Sequence, residues 1–204
     1  MSDVRAPRVL AIAGSPRRGG NSDVLLDACA AGVRAAGGEV DLLVVARAGI
    51  GACTGCNTCS KDGQCTVRDG MQEVYPRIDA ADAIVVATPV YFATVPSTLK
   101  ALYDRCQPYW ARRYVLHEAV VRRRPAGLLM AGGGGDPYGD DCAVTTTRSV
   151  FAVLGLDLLA TVRVEADARG DVLAHEAGLS EAREAGEALV REALRRAGER
   201  PSGA

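Results

Sequence analysis

Apolar residues fall along this chain in short continuous runs separated by amphipathic stretches. Val9-Leu10-Ala11-Ile12-Ala13 is the first run, with a Gly- and Pro-rich segment directly after it. That pattern predicts a strand buried on both faces. Glu39 to Val45, Ala83 to Ala87, Ala126 to Met130 and Leu156 to Val164 predict four more strands. Helical spacing occupies the intervals. Residues 22–36 predict a helix opened by Asn21-Ser22 and stopped by Gly37-Gly38. Met71 to Ala81 predicts another, with Pro76 expected to delay or kink it. Ser97 caps a helix through about Arg105, a further helix lies near residues 141–154, and a charged helix runs from Ser180 to Ala197. Residues 106–123, which carry Tyr109, Trp110 and Tyr114, read either as a helix extension or as a loop. Residues 46–70 form an irregular, cysteine-bearing insertion, and residues 198–204 are expected to fray.

Strands alternating with helices imply a parallel sheet covered on both faces, hence an α/β fold. Five strands suit a doubly wound sheet of order 2-1-3-4-5, built as a single domain over residues 1–204. Such sheets bind ligands beyond the carboxyl ends of their strands, where the order reverses between strands one and three. The loops expected there are GSPRRGGNS after strand one, TPVYFATVPS after strand three and AGGGGDPYG after strand four. They are the most unusual loops in the chain.

The first loop joins a strand to a helix through glycines, so its free backbone amides and the helix dipole favour an anion. Ser15, Asn21 and Ser22 add neutral donors, and Arg17 or Arg18 adds charge. Gly20 brings the backbone close. The loop is neither Gly-x-Gly-x-x-Gly nor a nucleoside-triphosphate loop ending in Gly-Lys-Ser/Thr, so a terminal phosphate suits it better. An ordinary strand–helix turn with an Asn-Ser cap is the competing reading. The second loop supplies Pro89, a rigid turn, then Val90 and the aromatic pair Tyr91-Phe92, for which core packing is the alternative. In the third loop, Gly132, Gly133 and Gly134 let a planar ring approach the backbone. A phosphate at one end and an aromatic ring at the other describe flavin mononucleotide, FMN.

Composition narrows the partners. Apolar residues make up 48 % and charged residues 24 % of 204 residues, as in an ordinary globular protein, and the net charge is −1. No basic excess exists to neutralise nucleic-acid phosphates. No apolar stretch is long enough to span a bilayer, and the first apolar run lacks a cleavage pattern, so a cytoplasmic protein is expected. Seven cysteines in that compartment are expected to be free, metal-binding or redox-active rather than a disulfide framework.

GSPRRGGNSDVLL, TPVYFATVPSTLKALYDR and the GGGG segment together resemble the NAD(P)H-dependent FMN reductase family of flavodoxin-like proteins, over roughly residues 8–160. The resemblance implies that Ser15, Arg17, Asn21 and Ser22 hold the FMN phosphate. It places Pro89 to Phe92 along the ribityl chain and ring, and the glycines of the fourth strand on the ring's other side. It also implies NAD(P)H as the hydride donor, a quinone, nitro or azo compound, free flavin or metal ion as acceptor, and a homodimer or homotetramer with the flavin near the interface.

Cys53, Cys56, Cys59 and Cys65 form a C-x2-C-x2-C-x5-C run. Four thiolates so close in sequence can converge on one soft metal site, and the spacing is nearer to compressed ferredoxin runs than to paired zinc knuckles. The run is similar to the compact motif of the iron-sulfur flavoproteins, which would make all four ligands of a [4Fe–4S] cluster. A cluster-free loop, also found in the wider reductase family, and structural zinc stand as alternatives. Two functions follow: a nicotinamide-dependent FMN oxidoreductase, or an iron-sulfur electron carrier serving a ferredoxin-type protein partner. The segment from Tyr109 to Tyr114 favours the first if it covers a flavin face.

No residue is singled out as catalytic, because the flavin carries the chemistry. His117 and His175 read as surface or loop histidines, and Asp136 to Asp141 as a solvated turn. Arg122-Arg123-Arg124 reads as a solvated turn or, less simply, a contact to an NADPH phosphate. Lys100 and the Asp104-Arg105 pair read as structural or interfacial. Cys29, Cys106 and Cys142 read as small buried hydrophobes.

Overall fold

The structure is a computed structural model that describes residues 5–119 and 122–199. The five strands are β1 (Arg8–Ala13), β2 (Glu39–Val44), β3 (Ala83–Pro89), β4 (Arg124–Gly132) and β5 (Leu156–Glu165), all parallel in the order β2-β1-β3-β4-β5. The helices are α1 (Asn21–Ala35), α2 (Cys59–Asp62), α3 (Met71–Ala80), α4 (Ser97–Asp104), α5 (Gln107–Tyr114), α6 (Asp141–Val153) and α7 (Glu176–Gly198). Alternate strand residues feed two cores. Leu10, Ile12, Ile84, Val86, Leu128 and Met130 meet α3, α4 and α6 on one face. Val9, Ala11, Val85, Leu129 and Val162 meet α1 and α7 on the other.

β5 keeps this alternation only by a bulge. Leu158 pairs with Ala126, but Ala160 pairs with Gly127, so Leu159 is the extra residue. Leu156 and Leu158 therefore serve the first core, and Ala160, Val162 and Val164 the second. One inserted residue turns the remaining side chains to the other face. That switch carries the carboxyl end of β5 toward α1. Gly32 and Gly186 bring α1 and α7 into backbone contact: a Cβ at Gly32 would lie 2.0 Å from Arg183 O, and one at Gly186 2.1 Å from Cys29 O.

Several expectations shift in detail. The Gly37-Gly38 stop holds, with Gly37 at φ +81° and Gly38 N donating to Val33 O (2.9 Å). α3 runs through Pro76. α1 is capped by Gly20 rather than Asn21, and α4 by Pro96 rather than Ser97, in both cases without a side-chain capping bond. Residues 107–114 are helical, α7 starts four residues early at Glu176, and the insertion contains the single turn α2. Of the expected frayed tail, Gly198 still belongs to α7, and residues 200–204 lie outside the described residues. No described helix is long and apolar enough to cross a membrane.

Candidate functional site

The loops after β1, β3 and β4 meet at the carboxyl edge of the sheet, as the strand order requires. A cavity of about 240 Å³ is lined by Ser15, Arg17, Gly20, Asn21 and Ser22 from the first loop, Pro89, Val90 and Tyr91 from the second, and Gly132 and Gly133 from the third. A larger cavity of about 620 Å³ adjoins it, lined by Val90, Met130, Gly132 to Gly135, Asp136 and Asp140, with Arg163, Glu165 and Asp167 from the β5 end. Val90, Gly132, Gly133 and Asp167 belong to both walls, so the two form one cleft.

At the small end, α1 begins with N–H groups that have no partner within the helix. Ser15 accepts from Arg17 N at 3.1 Å, which leaves its hydroxyl proton free to donate. Ser22 is only 3 % exposed. Arg18 is committed to Asp23 at 3.0 Å, whereas Arg17 enters no ion pair among the described residues. Asn21 differs from expectation. Its amide Nδ2 donates to Ala168 O (2.9 Å), and its Oδ1 accepts from Gly170 N (2.9 Å). The side chain thus spends its amide on the loop after β5, while the residue still lines the cavity.

At the large end the glycines leave room beside the β5 end, and the left-handed backbone of Gly134 favours glycine. A Cβ at Gly134, where φ is +70°, would lie 2.5 Å from Glu165 Oε1, and one at Gly133 would lie 3.1 Å from Asp167. Tyr91 lines the cleft, but Phe92 does not. Tyr91 and Thr94 exchange backbone hydrogen bonds of 2.8 and 3.1 Å, and Phe92 and Ala93 between them both have positive φ, at 50° and 61°. This tight turn projects Phe92 outward, 96 % exposed, which corrects the core expectation for it. Asp140 pairs with Arg163 at 2.9 Å, so the acidic turn is partly neutralised at the cleft. Cys142 is exposed at the start of α6, not buried as expected, whereas Cys29 and Cys106 are buried, and burial pushes both thiols up to about 12.

The four clustered cysteines surround a separate cavity of about 310 Å³, together with Thr54, Thr66, Arg105 and Pro108. Cys53 and Cys56 are exposed and Cys59 is buried. Thr58 donates to Cys56 Sγ (3.4 Å), and hydrogen bonds from Thr58 and Thr54 pull that thiol down to about 7. Burial, then the neighbouring cysteines, raises Cys59. Among the described residues, no three Cys, His, Asp or Glu side chains gather closely enough for one metal ion. All four thiols line this one space.

Arg105 anchors this insertion. It is 1 % exposed and donates to Asp69 through both terminal nitrogens (2.6 and 3.0 Å), to Gly51 O (3.1 Å) and to Val67 O (3.3 Å). The structural reading of Arg105 therefore stands, and Lys100 pairs with Asp104 at 2.7 Å. α5 closes over the insertion, with Arg112 Nε donating to Gly63 O (2.9 Å). Trp110 and Tyr114 consequently pack against each other, tilted by 44°, on the outer surface and line neither cavity of the cleft. Of Arg122 to Arg124, only Arg123 is exposed as a solvated turn would have it. Arg124 is buried and caps the carbonyls of Ile78, Ala81 and Leu154, while Arg122 and Arg123 pair with Asp82 and Asp157. They sit at the amino end of β4, opposite the cleft. His117 and His175 are exposed, His175 beside Glu165 and Asp167.

Ala166, Asp167 and Arg169 line the cleft without having been marked by a motif. The signal was topological, since the carboxyl end of β5 must reach the same edge as the other strands.

Comparison with known proteins agrees with this geometry. A family profile described as NADPH-dependent FMN reductase matches residues 7–166. An iron-sulfur flavoprotein of Archaeoglobus fulgidus is 37 % identical over 105 residues, covering 52 % of this chain and 48 % of that protein, so the chain aligns with about half of its length. An iron-sulfur flavoprotein of Methanocaldococcus jannaschii is 33 % identical over 147 residues, covering 72 % of this chain and 71 % of that protein. The solved NAD(P)H:quinone oxidoreductase from Methanothermobacter marburgensis shares the fold, with a TM-score of 0.65 at 21 % identity over 91 % of this chain and 96 % of that one. With its flavodoxin-like sheet and its three-loop cleft, the chain belongs to the NADPH-dependent FMN reductase family.

Proposed function

We propose that this protein is an FMN-dependent oxidoreductase that takes electrons from NADH or NADPH and passes them to a small acceptor such as a quinone, a nitro or azo aromatic, or free flavin. The observation that carries this reading is the continuity of the cleft, with arginine and serine at one end and glycine backbone at the other. Ser15, Arg17, Gly20 and Ser22 suit the phosphate, and the covered Ser22 hydroxyl has no other partner among the described residues. Pro89, Val90 and Tyr91 suit the ribityl chain, and Gly132, Gly133 and Gly134 suit the flat ring. Bound FMN would supply the hydride chemistry. The chain's own part is to fix the phosphate, align the ring and leave one side open. With a single open side, donor and acceptor take turns in the same place. Steady-state rates with NAD(P)H and a quinone should then give parallel double-reciprocal lines, the ping-pong pattern. Intersecting lines would contradict a shared place.

A second reading is favoured by the cysteine cavity. Four thiols around a space suit a [4Fe–4S] cluster, whose body holds its ligands apart. In that case the protein carries electrons between FMN and a ferredoxin-type partner. Iron and sulfide assays on protein prepared without oxygen separate the two readings. We also place the protein in the cytoplasm as a homodimer or homotetramer. Phe92 and Tyr138, exposed on the loops after β3 and β4, support contact with another chain, and sedimentation tests it.

A further inference from the structure

The loop after β5 forms one wall of the small end of the cleft. Asn21 fixes it there through Ala168 O, Gly170 N and, more weakly, Val172 N at 3.5 Å. Arg169 stands inside that clasp. Its Nε donates to Gly19 O (2.9 Å), and neither of its terminal nitrogens has a partner among the described residues. It lines the same cavity as Ser15, Arg17, Arg18 and Ser22. Arg18 is neutralised by Asp23. Arg17 and Arg169 are therefore the two guanidiniums lining this cavity that have no carboxylate partner among the described residues, and Asp167 is the carboxylate in the same lining. Two guanidiniums beside the first turn of a helix suit a doubly charged anion.

We propose that Arg169 is a phosphate-binding residue of this cleft and that Asn21 is a positioning residue that acts through it. The inference rests on the FMN reading of the cleft and deepens it. Asn21 spends its amide on holding residues 168–172 against α1. That hold brings the Arg169 guanidinium over Gly19, within reach of a phosphate cradled by the β1–α1 loop. The flavin phosphate is thus gripped from both ends of the chain, by the loop after β1 and by the loop after β5.

FMN and riboflavin differ only in the phosphate, so their comparison isolates the effect. The full-length chain freed of bound flavin is titrated with each, following flavin fluorescence, for wild type, R169A, R169K, N21A and the N21A/R169A double variant. Thermal melts confirm that each variant is folded. R169A should weaken FMN binding about tenfold or more, the scale of one hydrogen bond to a charged group, and leave riboflavin unchanged. R169K should fall between. N21A should also weaken FMN selectively, and the double variant should bind no worse than R169A, because both changes remove one contact. Equal losses for FMN and riboflavin would overturn the phosphate role of Arg169. Losses that multiply in the double variant would overturn the positioning role of Asn21. Unchanged FMN affinity in R169A would overturn the inference alone, whereas wild-type protein that binds neither flavin would overturn the reading of the cleft and the inference with it.

Discussion

Removing Asp69 should release the cysteine-bearing insertion. Arg105 is buried at the end of α4, and Asp69 meets it with both oxygens at 2.6 and 3.0 Å. Asp69 also accepts from Gly51 N (2.8 Å) and Met71 N (3.0 Å), so a single carboxylate ties the insertion to both α3 and α4. Asp69→Ala leaves a guanidinium buried with only carbonyl partners. Breaking a buried pair from one side costs about 3–5 kcal/mol, and the part-exposure of Asp69 points to the low end, about 3 kcal/mol. For a chain of this size each kcal/mol shifts Tm by about 2–4 °C, so Asp69→Ala should melt about 6–12 °C lower. If the insertion detaches before the sheet unfolds, the loss appears in thiol labelling instead, with buried Cys59 joining the fast class of Cys53, Cys56 and Cys142. The pH dependence has a fixed sign. The Arg105 guanidinium holds the Asp69 carboxyl at about 2, below its ordinary value of 3.8. The clamp is therefore complete above the ordinary carboxylate range and is lost as pH falls through about 2. A variant that melts with wild type and shields Cys59 equally well would refute the clamp.

Ser22→Ala should weaken FMN binding about tenfold while leaving Tm within a few degrees, as read by flavin titration and thermal melting. Phe92→Gly relieves a left-handed backbone that costs a non-glycine residue about 1–2 kcal/mol, so urea unfolding should show a gain of up to about 1 kcal/mol. A loss there would mean that the exposed ring packs against something. If Cys53, Cys56, Cys59 and Cys65 hold a cluster, changing any one of them to Ala should lower bound iron and sulfide and spare FMN, because their cavity is separate from the cleft; wild-type protein prepared without oxygen and free of iron would exclude the cluster.

Local pattern was enough for the sheet. Each apolar run became a strand, and the alternation of runs with amphipathic stretches dictated the order that brings three unusual loops to one edge. What local pattern does not carry is the direction in which a polar side chain turns. Asn21 follows a glycine-rich loop and looks like a donor to a ligand, yet its partners lie more than 140 residues away, where no local signal speaks of them. Arg122 to Arg124 read as solvated for the same reason, since the carbonyls that receive Arg124 come from α3 and α6 ends. Trp110 read as an aromatic beside a cleft, but α5 packs over the insertion and leaves it on the outer surface. Cys142 lies in a helical pattern, and helical position alone does not say which side faces water.

Anaerobic mixing with a reduced nicotinamide tests the central claim most directly. The purified chain carrying FMN should lose its flavin absorbance on addition of NADPH or NADH before any acceptor is present, and a quinone should restore it. A flavin that neither nicotinamide bleaches, but that a reduced ferredoxin-type protein does, would contradict the oxidoreductase and leave the electron carrier.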